Sequence, residues 1–234
     1  MGKPLPGDDR AAFSAALARL TGARAGDDLC TPFVDVVGVS GAAISTLGRP
    51  LGSETLSASD TVAARIAEIQ IDLGEGPGWR ALKMRRPILE SDLQAAGGAE
   101  WPLAREALRG LGIGGLYAFP LYVGELSVGS VDLYSPTPHR LSQRAVDDAG
   151  VLAVIASRRL LRTALDDLEN VDDGLADGPH SRREVHQASG MVAAQLGLSV
   201  DDAMLVLRGR AFSSGLTVAQ VAADVVARRM VFER

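Results

Sequence analysis

GLYAFPLYVGELSVGSVDLY, Gly115 to Tyr134, is the stretch that decides the fold. Two apolar runs, Gly115 to Val123 and Glu125 to Tyr134, stand on either side of Gly124, which is the spacing of a β-hairpin. A second hairpin pattern lies upstream: Ala42 to Leu47, a Gly48-Arg49-Pro50 turn, and an alternating stretch from Leu51 to Ser57. Between the two, Asp60 to Leu73 has helical spacing through Val62, Ile66 and Ile69. Gly74-Glu75-Gly76-Pro77-Gly78 reads as a loop, Pro87-Ile88-Leu89 as a short strand, and Trp101 to Leu111 as a helix through Ala104, Ala107, Leu108 and Leu111. Hairpins that join neighbouring strands, with helices interposed, predict an antiparallel sheet covered by helices, an α+β domain.

Outward from this core, Phe13, Ala16, Leu17 and Leu20 mark a short amphipathic helix that Thr21-Gly22 stops, and Asp27 to Val37 reads as a second, with Leu29, Phe33 and Val36 inward. From Leu141 to Val171 there is no proline and only Gly150 among glycines, which predicts one long helix. Val151 to Ile155 is apolar on every side, as for a segment packed against the sheet. Leu161, Ala164, Leu165 and Leu168 then narrow to one stripe beside Arg162, Asp166 and Asp167. Such a stripe calls for a partner helix, either the same helix of a second subunit in a parallel pair or the helix's own domain.

Asp172-Asp173-Gly174 to Asp177-Gly178-Pro179 is a polar break taken as a boundary. Three short helical patterns follow. The first runs from about Arg183 to Leu196 and ends at Gly197; the second opens on Ser199-Val200-Asp201-Asp202; the third opens on the capping-box sequence Thr217-Val218-Ala219-Gln220. None is long enough to be stable alone, but three can share a core.

Composition narrows the function. With 47% hydrophobic and 23% charged residues, the 234-residue chain has the balance of a globular protein with room for a second, smaller domain. The N-terminus has no apolar signal, and no stretch approaches the ~18 apolar residues of a membrane span, so no membrane partner and a cytoplasmic location are expected. A single cysteine, Cys30, excludes an internal disulfide or a Cys-rich zinc site. His139, His180 and His186 have no metal-ligand spacing, so no metal site is expected. Gly112-Ile113-Gly114-Gly115 precedes a strand where a dinucleotide turn would follow one, and neither a phosphate loop nor a GxSxG elbow occurs. No catalytic residue is expected. The net charge of −5 is uneven: from Ser181 to Arg234 seven arginines meet five carboxylates, a net of +2 that leaves −7 on the preceding residues.

Leu73-Gly74-Glu75-Gly76-Pro77-Gly78-Trp79-Arg80-Ala81-Leu82, Arg86-Pro87-Ile88-Leu89, Trp101-Pro102, Ala118-Phe119-Pro120-Leu121 and Gly129-Ser130-Val131-Asp132-Leu133-Tyr134, in that order, resemble the GAF domains of actinobacterial regulators. The resemblance implies a sheet of five or six antiparallel strands and a small-ligand pocket between sheet and covering loops. Trp79, Tyr117, Phe119 and Asp132 are the residues expected to line it, unless the scaffold has lost its ligand. The cofactor stays unknown: the asparagine-centred cyclic-nucleotide signature is absent, Asn170 being the only asparagine, and Cys30 and His139 are the sole candidates for bilin attachment and haem ligation.

The tail is similar to ANTAR domains through His186-Gln187-Ala188-Ser189-Gly190-Met191-Val192, Leu196-Gly197-Leu198-Ser199, Asp202-Ala203, Leu207-Arg208-Gly209-Arg210-Ala211 and Val221-Ala222-Ala223-Asp224-Val225-Val226. That similarity implies a three-helix RNA binder that holds paired hairpins in nascent RNA against terminator formation, as a dimer. Arg182, Arg183, Arg208 and Arg210 are the expected phosphate contacts and Gln187 and Ser189 the expected base or sugar contacts, with Arg228 and Arg229 as further cations. Each arginine also has the plain reading of a solvated helix surface. The expected organisation is an N-terminal helix and tail at 1–26, a GAF sensor at 27–160, a long connecting helix and linker at 141–180, and an all-α ANTAR domain at 181–234. The leading expectation is a homodimeric, signal-responsive antiterminator paired through the long helix. Its alternatives are a DNA-binding regulator, since three short helices can imitate a helix-turn-helix, or a protein-interaction module.

Overall fold

The computed structural model describes residues 8–24, 26–48, 50–95, 100–171 and 180–232, and the chain divides into two compact units, Met1–Asp166 and Asp167–Arg234. The boundary segment read at Asp172 to Pro179 lies outside the described residues. In the first unit the elements are α1 (Asp8–Gly22), α2 (Thr31–Val37), β1 (Gly41–Thr46), β2 (Glu54–Ala58), α3 (Thr61–Leu73), α4 (Pro77–Met84), β3 (Ile88–Glu90), α5 (Pro102–Arg109), β4 (Gly115–Val123), β5 (Leu126–Ser135) and most of α6 (Gln143–Val171), which ends past Asp166.

The hairpin of the opening stretch, β4–β5, is the centre of a five-stranded sheet of order β2-β1-β5-β4-β3 in which every pairing is antiparallel. Because side chains alternate along a strand, the register sorts residues to two faces. Leu133 lies opposite Ala42 and Tyr117, while Asp132 lies opposite Ala43 and Ala118. The first set, with Ile44, Phe119, Leu121 and Val131, is buried against Leu20 of α1, Phe33 of α2, and Leu152 and Ala156 of α6. The second face carries Ala43, Leu116 and Tyr134 beneath Ile66 and Ile69 of α3 and Leu108 of α5. The expected α+β class and antiparallel sheet are present.

Three local readings change. Pro77 and Gly78 begin helix α4 and do not continue the glycine loop. Gly76, at φ 139°, makes the turn, and proline's fixed φ suits the first helical turn. Helix α2 begins at Thr31, four residues later than its apolar spacing implied. Pro32 is confined to the first turn, and the Asp28 carboxylate accepts from the Cys30 and Thr31 amides. In α6, Leu152, Ala153 and Ala156 are buried, but Val151 and Val154 are 46% and 40% exposed, so that segment is covered on one face and not on every side.

The second unit contains α7 (His180–Leu196), α8 (Val200–Ser214) and α9 (Val218–Val226) around a shared core of Ala188, Val192, Ala203, Leu207, Ala211, Val221, Ala222 and Val225. The signals at its helix ends hold. Gly197 is left-handed at φ 69°, Ser199 Oγ accepts from the Asp202 amide, and Thr217 and Gln220 form a reciprocal capping box at the start of α9. No single described helix is long and apolar enough to cross a membrane.

Candidate functional site

In the first unit the polar chemistry gathers on the α3/α4 face of the sheet. Ser130 and Asp132 are two residues apart on β5 and so point the same way. Ser45 of β1, directly opposite Ser130, joins them. All three are buried. Gln70, buried in α3, accepts from the Gly78 amide through Oε1 at 2.7 Å, and its carbonyl accepts from the Trp79 indole at 2.8 Å, so α3 and the start of α4 are tied together over this part of the sheet. Gly78 is fixed by this approach. A Cβ there would stand 2.5 Å from Ser130 Oγ and 3.2 Å from both Asp132 Oδ1 and Gln70 Oε1.

Asp132 is the unusual group. Ser130 donates to its Oδ2 at 3.0 Å, while Oδ1 has no hydrogen-bond partner; neither has the buried hydroxyl of Ser45. Burial is the largest influence on its pKa, pushing it up to about 6, with hydrogen bonding from Gln70 and Ser130 opposing. A desolvated carboxylate costs several kcal/mol, whereas a hydrogen bond to a charged group returns about 1.5–3, so one or two such bonds do not restore the usual value.

The four residues expected to line one pocket therefore separate. Asp132 lies on the α3/α4 face and Trp79 on α4, near the β1–β2 turn, where a Cβ on Gly48 would meet its ring at 3.5 Å. Tyr117 and Phe119 belong to the opposite face. The Tyr117 hydroxyl donates to the His139 carbonyl at 2.6 Å, and Phe119 borders a cavity of about 80 Å³ shared with Gly150, Ala153 and Val154 of α6. That is well below the roughly 300 Å³ at which small-molecule pockets begin. Strand alternation alone separates residues 117 and 119 from 132, because Ala118 is the register partner of Asp132. Ser45, Gln70, Gly78 and Ser130 were missed in the sequence. The available signal was small polar residues recurring at alternate positions inside otherwise apolar strands.

In the second unit Gln187 is exposed on α7, but Ser189 is fully buried against the three-helix core, its hydroxyl donating to the His186 carbonyl at 2.9 Å. Ser189 is therefore not placed to reach a base or sugar, a correction to its expected role. Arg210 is exposed and Arg208 partly buried. Two residues apart on a helix they point about 200° from one another, so they leave α8 on different sides. Arg229 is paired with Asp224 at 2.8 Å, and Arg228 is exposed with a left-handed backbone, φ 57°. The side chains of Arg182 and Arg183 lie outside the described residues.

Residues 174–226, which include all of α7, α8 and α9, match the family model described as the ANTAR domain. Among solved structures, the chain is similar to the GAF domain of an Acinetobacter phosphoenolpyruvate-protein phosphotransferase, with TM-score 0.52 and 10% identity over 69% of this chain and 97% of that one. It is also similar to the chromophore-binding domain of a bacteriophytochrome from R. palustris, with TM-score 0.53 and 12% identity over 72% of this chain. The alignment spans 64% of that domain. No curated protein matches the chain in sequence. The chain thus carries an ANTAR domain at 174–226 and, ahead of it, a unit with the GAF fold.

Proposed function

We propose that this protein is a signal-responsive transcription antiterminator that binds paired RNA hairpins through its ANTAR domain under control of the GAF-like unit, with no catalytic step of its own. The observation that carries the reading is the ANTAR match over a three-helix bundle that buries its own apolar core. RNA loops offer phosphates to guanidinium groups and unstacked bases to polar side chains. Arg208, Arg210 and Gln187, together with Arg182 and Arg183, supply those groups, and a net of +2 per tail is doubled in a dimer. Binding of the full chain to an RNA with two short hairpins, measured with and without Arg208→Ala and Arg210→Ala, tests this. Each substitution should weaken binding several-fold and reduce its salt dependence by about one phosphate contact. Unchanged affinity in both variants would contradict these assignments, and preference for duplex DNA would favour a DNA-binding regulator.

The dimer is assigned to α6. Val151, Val154, Arg158, Leu161, Leu165 and Leu168 are spaced alternately by three and four residues, the repeat of a coiled-coil seam. Of these Val151, Val154 and Leu165 are 46%, 40% and 51% exposed. The occupant that fits is the same face of a second copy in parallel, with Arg158 as the one charged position in the seam fixing register at some cost in stability.

A further inference from the structure

We infer that the cleft between α1 and α6 is a binding site for a small organic monocarboxylate with an apolar body. Such a site goes beyond the sensor reading of the GAF-like unit, since it lies apart from the polar cluster around Asp132 and on the helix assigned to the dimer seam. The cleft has a volume of about 420 Å³ and is lined by Arg10, Phe13, Ser14 and Leu17 of α1 and by Arg144 and Asp148 of α6. That volume falls within the range of small-molecule pockets, roughly 300–1,000 Å³, which the hollow beside Phe119 does not reach.

Helical spacing builds both walls. Arg10, Phe13, Ser14 and Leu17 stand at i, i+3, i+4 and i+7 and so share one face of α1 over two turns, and Arg144 and Asp148, four residues apart, share a face of α6. The core holds the walls in place. Ala16 and Leu20 of α1 are buried in one cluster with Ala149 and Leu152 of α6, and Phe13, Leu17, Ala145 and Val146 pack against it. Phe13 and Leu17 are half-buried, with one side on that cluster and the rest bordering the cleft.

Charge selects the occupant. Two guanidinium groups, one on each wall, stand against a single carboxylate, a net of +1 within residues 1–180, which together carry −7. Arg10 is exposed and makes no hydrogen bond or ion pair with another described residue. Arg144 meets Asp148 at 3.6 Å with the side chains 52% and 24% exposed, a contact in a setting where ion pairs are worth little. A guanidinium offers a planar fork of N–H donors that a carboxylate fits with two bonds. A monoanion balances the net charge, whereas a phosphate dianion would bring excess charge against Asp148. Phe13 and Leu17 offer the apolar body a surface to bury, and the Ser14 hydroxyl adds a donor.

The test uses the full chain and three probes at matched ionic strength, with binding read by isothermal titration calorimetry. The probes are naphthoate, its neutral analogue naphthamide, and acetate, which carries the charge without the apolar body. Naphthoate should bind most tightly, with naphthamide and acetate each weaker by about tenfold or more. Arg10→Gln, at an exposed position, should weaken naphthoate binding about tenfold or more and leave the thermal midpoint unchanged. Asp148→Asn should tighten it several-fold, because a like charge leaves the cleft; damage to the fold would act in the opposite direction. No binding of naphthoate, equal affinity for naphthamide or acetate, unchanged affinity in Arg10→Gln, or unchanged or weaker affinity in Asp148→Asn would overturn the site. Titration of the same preparation with two-hairpin RNA separates the two readings. Loss of RNA binding removes the antiterminator and leaves the site, whereas absent naphthoate binding with RNA binding intact removes the site alone.

Discussion

Asp132 has a protonation equilibrium that couples directly to stability. Its folded-state pKa of about 6 lies above the ordinary 3.8, so the folded chain holds this proton more tightly than the unfolded chain. The stabilisation is complete below about pH 4 and is lost as pH rises through 6, to a total of about 3 kcal/mol at most. Asp132→Asn removes this dependence. In urea denaturation between pH 4 and 7, the difference in stability between variant and wild type should move steadily in the variant's favour as pH rises. A difference independent of pH would mean that the aspartate ionises normally. Cys30 shows the same physics without a functional consequence: burial pushes its thiol up to about 11, which leaves it protonated and unreactive at neutral pH.

At the scale of elements, the sheet tolerates almost nothing where β1 meets β5. Gly129 lies opposite Thr46, and a Cβ there would run into the Ser45 backbone carbonyl, which cannot rotate away. Gly129→Ala should therefore cost about 3 kcal/mol, read as a lowered denaturation midpoint; a change within 0.5 kcal/mol, the range expected of surface substitutions, would contradict the register. Both hairpins and the helices α1, α3, α5 and α6 were legible because each repeats its apolar spacing over two turns or more, or over two paired strands. Helix α4 was not: its eight residues open with Pro77-Gly78, and glycine and proline signal a loop unless the covering contact to Gln70 and Ser130 is known. The candidate site was half legible for a related reason. Asp132, Tyr117 and Phe119 were expected to line one pocket, but strand parity sends Tyr117 and Phe119 to the opposite face from Asp132. Ser189 was misjudged likewise, since its neighbours Ala188 and Val192 share the buried side of α7. Helix α6 gives the clearest element-level prediction. Leu165→Asp, at a position half exposed in the single chain, should leave the fold intact and shift sedimentation equilibrium from dimer to monomer. A monomeric wild type, or an undisturbed dimer in the variant, would remove the seam.

For the molecule as a whole, charge and architecture agree. Residues 1–180 carry −7, whereas residues 181–234 carry a mild positive charge of +2, the sign that suits a polyanion. A ligand that binds the GAF-like unit can alter RNA affinity only through a difference in its affinity for two states of the protein, so sensing and RNA binding must show reciprocal coupling if they are joined. Such coupling has no meaning unless the chain binds RNA. The direct measurement is titration of the full chain against an RNA bearing two tandem hairpins, a single hairpin and a duplex DNA, repeated across salt concentration. Binding should be tightest to the tandem hairpins, with log K falling linearly as log salt rises. Binding that is absent, indifferent to salt, or no stronger for the tandem hairpins than for duplex DNA would contradict it.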